Sequence, residues 1–204
     1  MAVPGILASL QGDLAAIANC ARASLVQVRD SRDGAGSGTI WDAEGLIITN
    51  AHVVRHRRVD VVLPGGRRLP AEVLAADPHH DLAALRVEAH GLPAIVSGSS
   101  RNLRPGELVM AVGHPWGIEG GTTLGVVIGV GADLPENPTP WRELIAVSLQ
   151  LRPGHSGGPL VDVQGRLVGI SAMLAGPDVG LAVPVDVIRE FVQESLRERR
   201  ARAA

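Results

Sequence analysis

Short apolar runs, cut at close intervals by glycine, proline and aspartate, dominate this chain and leave room for little but strands and tight turns. Six candidates lie in the first half: Leu25 to Val28, Gly38 to Trp41, Leu46 to Thr49, Val59 to Leu63, Ala71 to Ala76 and Leu82 to Val87. Turn signals such as Asp33-Gly34, Glu44-Gly45 and Pro64-Gly65-Gly66 separate them. A polar, glycine-rich connector from Glu88 to Gly106 follows, and then six more runs: Leu108 to Val112, Thr122 to Val130, Leu144 to Leu149, Pro159 to Val163, Leu167 to Ala172 and Gly180 to Val183. Strands do not alternate with helices, so a parallel sheet is not expected. The pattern predicts an all-β fold of two antiparallel six-stranded β-barrels, over 23–95 and 103–184, in one domain spanning 1–204.

Helical spacing occurs only at the ends. Ile6, Leu7, Leu10, Leu14 and Ile17 predict a helix over 5–22. Pro184 opens a second helix over 184–199, whose apolar face is Val187, Ile188, Phe191, Val192 and Leu196; the basic tail beyond it is expected to fray.

Composition narrows the function classes. Aromatics make up 2% of the chain, so the core must come from Val, Leu, Ile and Ala. A net charge of -2 does not suit a nucleic-acid partner, and the basic runs Arg55 to Arg58 and Arg67-Arg68 read as solvated loop charge. Cys20 is the single cysteine, which excludes an internal disulfide and predicts a packed small hydrophobe. No apolar run approaches the roughly 18 residues of a membrane span. Met1 to Leu10 has no basic region and Asp13 interrupts the next apolar stretch, which predicts no export signal and a cytoplasmic chain.

The chemistry concentrates in Gly154-His155-Ser156-Gly157-Gly158-Pro159. A serine hydroxyl needs a base to become a nucleophile, and glycines bring backbone N–H groups close to a developing oxyanion. The loop Gly154, His155, Ser156 is the expected oxyanion hole, with the N–H groups of Gly154 and Ser156 as donors. The same residues fit the G-x-S-x-G elbow of α/β-hydrolases, but that fold places its histidine last, and no histidine follows His155. Read as His, Asp, Ser, every part is present: His52 ends the run Leu46 to Val54, Asp81 precedes Leu82 to Leu85, and Ser156 lies in the second half. His52 would take the serine proton and return it to the leaving amine, with Asp81 fixing its tautomer. His79 and His80 are adjacent, point to opposite faces and lack a third ligand, so no metal is expected.

With these residues in view, the chain resembles the HtrA (Deg) group of trypsin-like serine proteases. The matching segments are Gly36-Ser37-Gly38-Thr39-Ile40, Ile48 to Val54, Asp77 to Leu85, Val112 to Gly117, Gly154 to Leu160 and Gly180 to Pro184. The resemblance implies the chymotrypsin-like double barrel, ATP-independent endopeptidase action on unfolded or damaged polypeptides, and no metal or organic cofactor. It also implies a homo-trimer, although residues 1–40 hold no aromatic of the kind family trimers use, which leaves a monomer as the alternative. The family commonly adds PDZ domains; a protease domain alone is expected here. The residue before the nucleophile is usually Asn in this group. Here it is His155, expected to be a solvated loop ring, or one whose charge tunes the loop at about pH 6 to 7.

In trypsin-like enzymes the primary pocket's floor lies six residues before the nucleophile, at Gln150 here, followed by Leu151. Ala172, Met173 and Leu174 match the segment that pairs with substrate backbone, and Leu181 and Ala182 the opposite wall. No carboxylate stands on that floor, so cleavage after small or medium aliphatic residues is expected. The other readings are a latent protease and a non-catalytic, chaperone-like peptide holder on the same fold.

Overall fold

A computed structural model describes residues 5–30, 34–134 and 142–203. The turn expected at Asp33-Gly34 and the first four residues lie wholly or partly outside them. Two closed antiparallel barrels account for all twelve described strands. The first comprises β1 (Leu25–Asp30), β2 (Gly34–Ile40), β3 (Leu46–Thr49), β4 (Arg58–Val62), β5 (Arg68–Asp77) and β6 (Leu82–Val87), in the order β1-β2-β3-β6-β5-β4. The second comprises β7 (Leu108–Gly113), β8 (Gly121–Gly131), β9 (Leu144–Ser148), β10 (Pro159–Val161), β11 (Leu167–Gly176) and β12 (Val179–Pro184), in the order β10-β11-β12-β9-β8-β7.

β3, β6, β7 and β9 read as nearly unbroken apolar runs because both of their faces are largely buried. On β3, Ile47 points into the first barrel, while Leu46 and Ile48 join a cluster shared by both barrels and both helices. The second barrel repeats the alternation. Val109 and Ala111 of β7 line its interior, and Met110 and Val112 face the shared cluster. This period of two is the pleat of a strand, and small or β-branched side chains suit both layers. The shared cluster explains how the fold closes with so few aromatics.

The N-terminal helix α1 (Ile6–Ala23) contributes Leu14, Ile17, Ala18 and Ala21 to that cluster, one stripe at helical spacing. Leu10, one turn before Leu14, is exposed, and so is Cys20, which falls off the stripe, so the expectation of a packed Cys20 is corrected. The C-terminal helix α2 (Val185–Ala203) buries Ile188, Phe191 and Val192 and runs on through the tail expected to fray. Pro184 ends β12 rather than opening the helix. At the start of α2, the Asp186 carboxylate accepts the N–H and hydroxyl of Ser100 at 2.8 and 2.7 Å, which ties the connector to the second barrel's closing helix.

Candidate active site

The site forms where the barrels meet. His52 sits in a 3₁₀ turn, Ala51–Val53, directly after β3. Asp81 sits just before β6, which pairs with β3 from Leu46↔Arg86 to Thr49↔Ala83. That register brings the end of one strand beside the start of the other. Asp81 is buried at 6% exposure and takes the left-handed conformation, φ 57°. Asn50 donates its amide to the Asp81 carbonyl at 2.9 Å, and Arg142 donates to the carbonyls of Pro78 and His79, which anchor the same turn from both sides. The Asp81 carboxylate accepts the His52 backbone N–H at 3.0 Å and lies 2.8 and 3.0 Å from its Nδ1. Because a carboxylate only accepts, the pair assigns the proton to Nδ1 and leaves Nε2 free to act as a base.

Ser156 shares a cavity of about 320 Å³ with His52, Gly36 and Gly154. Its hydroxyl does not donate to the imidazole; it donates to the Ala172 carbonyl at 2.8 Å. Thus the structure joins His52 to Asp81 and puts Ser156 on the same cavity wall, with its hydroxyl turned to β11.

The loop before Ser156 is held by contacts from the first barrel and from His114, directly after β7. The Ser37 hydroxyl donates to the Gly154 carbonyl at 2.8 Å, and the His114 N–H donates to the same oxygen at 3.0 Å. The Ser37 oxygen also lies 3.0 Å from His114 Nδ1. On the other side the Ser37 N–H donates to the Ser156 carbonyl at 2.8 Å. Gly154 (φ 106°) and Gly157 (φ 86°) cannot be other residues here, because a Cβ would lie 2.1 Å from the His114 carbonyl oxygen and 1.9 Å from that of Ser37. The N–H of His155 donates to the Arg152 carbonyl at 2.9 Å. Among the described residues the N–H groups of Gly154 and Ser156 have no acceptor. They are the two donors expected for an oxyanion.

Sequence reasoning did not assign roles to Ser37 and His114. Both lie in glycine-flanked segments that stood out, but their meeting across 77 residues is a tertiary fact.

His155 is corrected. It is not solvated but 3% exposed. Its Nδ1 lies 3.0 Å from the Arg152 N–H and 3.2 Å from the Arg152 carbonyl oxygen, while Nε2 has no hydrogen-bond partner among the described residues. Burial pushes its pKa below the ordinary 6.5, and the neighbouring Arg152 charge adds to this while its carbonyl opposes it. Burial lowers His114 in the same way. Burial thus favours the neutral ring over the tuning charge expected there.

The sign of the linkage follows. The unfolded chain protonates these rings at higher pH than the folded chain does. Their contribution to stability is complete above about pH 6.5 and is lost as pH falls toward the folded values. The melting temperature should fall between pH 7 and 5, and His155→Asn should fall less steeply. Parallel curves for the two proteins would contradict the assignment.

The pocket residues expected for substrate are placed unevenly. Gln150 is exposed, donates to Asp178 at 2.7 Å and accepts from Arg152 at 2.7 Å. It lines a groove of about 600 Å³ with Trp116, Arg152, His155 and Asp178, on which Ser156 does not border. Leu151 is buried beside Gly180. Leu181 and Ala182, expected in the opposite wall, are buried in the apolar clusters on β12, between β9 and β11. Ala172 is buried, Met173 half-buried and Leu174 exposed. β11 pairs with β12 through Met173 and Leu174, but β10 pairs with it only as far as Ile170, so on that side Ala172 to Leu174 have no strand beside them among the described residues.

Residues 36–170 match the family described as trypsin-like peptidase domain. The chain is 36% identical over 171 residues to a probable periplasmic serine endoprotease DegP-like of Halomonas elongata, covering 81% of this chain and 36% of that protein. It is 38% identical over 161 residues to the mitochondrial serine protease HTRA2 of Bos taurus, covering 77% of this chain and 35% of the relative. The chain thus spans little more than a third of the length of these relatives. Among solved structures, the HtrA-type protease AlgW with tripeptide superposes with a TM-score of 0.81 at 30% identity, over 88% of this chain and 62% of that one. No helix among the described residues is long and apolar enough to cross a membrane.

Proposed function

The chain belongs to the trypsin-like peptidase domain family, in its HtrA-type branch, and from that premise we propose that it is a serine endopeptidase acting through His52, Asp81 and Ser156. The observation that carries this reading is the cavity wall that holds Ser156 beside the carboxylate-paired His52, with two unused N–H donors at Gly154 and Ser156.

The steps need only the chain's own groups. Rotation of the Ser156 side chain off the Ala172 carbonyl brings Oγ to His52 Nε2, which takes its proton as Oγ attacks the scissile carbonyl. The resulting oxyanion accepts the N–H groups of Gly154 and Ser156. His52 then protonates the leaving amine as the C–N bond breaks. Water repeats the sequence on the acyl-enzyme, with Asp81 stabilising the imidazolium each time. The substrates are polypeptides in extended, unfolded conformation, added as a strand to β11 at Ala172 to Leu174.

A preference for small or medium aliphatic residues before the scissile bond rests on the apolar Leu149 and Leu151 and on Gln150, which offers no carboxylate to a basic side chain. The nearest carboxylate, Asp178, is engaged by the Gln150 amide. A peptide-library profile led by Arg or Lys would refute that preference.

The hydrogen bond from Ser156 to Ala172 favours a second reading, a resting state that peptide binding must engage. A fluorophosphonate probe tests both. Labelling at Ser156 is expected, because the probe needs the base and the oxyanion donors together. Labelling that requires added peptide would mean a latent enzyme. Absence of labelling under either condition would rule out the endopeptidase reading.

A further inference from the structure

The cavity beside Ser156 has a second histidine–carboxylate pair in its wall. His56 lies 2.7 Å, through Nδ1, from Oδ1 of Asp30, while Oδ2 of Asp30 accepts the backbone N–H groups of Arg55 and His56. Asp30 is 5% exposed, so both of its oxygens are spent inside the fold. Burial raises its pKa, but the Arg55 N–H, the His56 ring and the His56 N–H outweigh burial and hold the carboxyl below its ordinary value. It remains an anion whose office is to orient His56. The His56 side chain is 62% exposed, with Nε2 as its free ring nitrogen. Next to it, the exposed Arg55 guanidinium has no carboxylate partner among the described residues. The wall therefore offers a substrate the Arg55 guanidinium, beside the acceptor Nε2 edge of His56, and no accessible acid.

The side of the scissile bond follows from the same geometry. The acyl half of a peptide would lie along the free edge of β11, and no residue of β11 lines this cavity. The cavity instead continues from Ser156 past His52, the group that protonates the departing amine, to Val53, Arg55 and His56. Resting on the endopeptidase reading, we infer that the Arg55 guanidinium, beside the His56 ring braced by Asp30, forms a leaving-side subsite for a carboxylate, borne by an acidic residue one or two positions after the scissile bond. Arg55 repels a lysine there, so the subsite selects by repulsion as well as attraction.

The test uses quenched fluorescent peptides that share one acyl half and differ only in the first two leaving-side residues, bearing Glu, Gln or Lys, with amidated C-termini. An exposed charge pair of this kind changes a rate by up to about fivefold. The expected order of kcat/KM is Glu, then Gln, then Lys, with Glu and Lys about tenfold or more apart. Arg55→Gln should bring the ratio close to one, as should 0.5 M salt in the wild type. The ratio is taken within one enzyme preparation, so a loss of folded protein does not imitate the effect. A free-acid form of the Gln peptide that outruns its amide would identify a chain-terminal carboxylate as the occupant of the same subsite. Equal rates for all peptides would overturn the subsite. A p-nitroanilide with the same acyl half, which has no leaving-side residue, separates the two claims: its hydrolysis with equal peptide rates leaves the endopeptidase standing and removes the subsite, while failure to cleave any substrate removes both.

Discussion

Ser156→Ala is expected to abolish casein digestion, with kcat/KM falling by about 10⁶, the scale on which loss of the nucleophile removes a triad's action. The prediction is sharp because the substitution removes so little else. The Ser156 hydroxyl makes one hydrogen bond, to the Ala172 carbonyl, and the side chain is half-buried. The loop's backbone is held independently: the Ser156 carbonyl by the Ser37 N–H, Gly157 by the Ser171 carbonyl, and Gly154 by Ser37 and His114. The variant should therefore melt close to the wild type and still bind an unfolded peptide along β11. That combination separates an enzyme from a peptide holder, whose behaviour toward casein would be the same with or without the hydroxyl. Casein cleaved by Ser156→Ala at wild-type rate would place the chemistry elsewhere, or nowhere on this chain.

What the sequence made legible was set by the range of the forces involved. The strands stand out because β3, β6, β7 and β9 are buried on both faces and must be apolar throughout, a local signal. The free N–H donors of Gly154 and Ser156 are legible for a similar reason, since only glycine tolerates the backbone at 154 and 157. The register of β3 with β6 is not local, yet strand-end positions for His52 and strand-start positions for Asp81 follow once the barrel is accepted. Properties that depend on distant packing were hidden. Cys20 is exposed because the stripe of α1 runs through Ala18 and Ala21 instead, and nothing in its own neighbourhood says so. His155 looks like any loop histidine until β7 covers it, where a Cβ on Gly113 would lie 2.7 Å from the His155 Cα. The pairing of Asp30 with His56, across 26 residues, needed the contact of β1 with β4. The burial of Leu181 and Ala182 depends on β12 being an interior strand of its barrel, which alignment by motif cannot convey.

Asp81→Asn should lower kcat by about 10⁴ at neutral pH while leaving the fold and KM nearly unchanged. Asparagine is the informative replacement because it accepts the left-handed backbone at φ 57° as readily as aspartate does. Its carbonyl is still held by Asn50, so the turn between β5 and β6 keeps its shape. What is lost is the second acceptor. The carboxylate serves the His52 N–H and Nδ1–H together, through Oδ1 and Oδ2. An amide offers one oxygen and one NH₂, and an NH₂ facing Nδ1 stabilises the tautomer with its proton on Nε2, the nitrogen that must be bare to accept from Ser156. The same substitution also strips the imidazolium of its counter-charge in a site where Asp81 is 6% exposed and water cannot replace it. Both effects bear on the transition state and not on peptide binding at β11, so the loss belongs in kcat. Fluorophosphonate labelling should slow in parallel, since it needs the same base. Activity within tenfold of wild type would mean that His52 does not take its orientation from Asp81, and the proposed triad would fall with it.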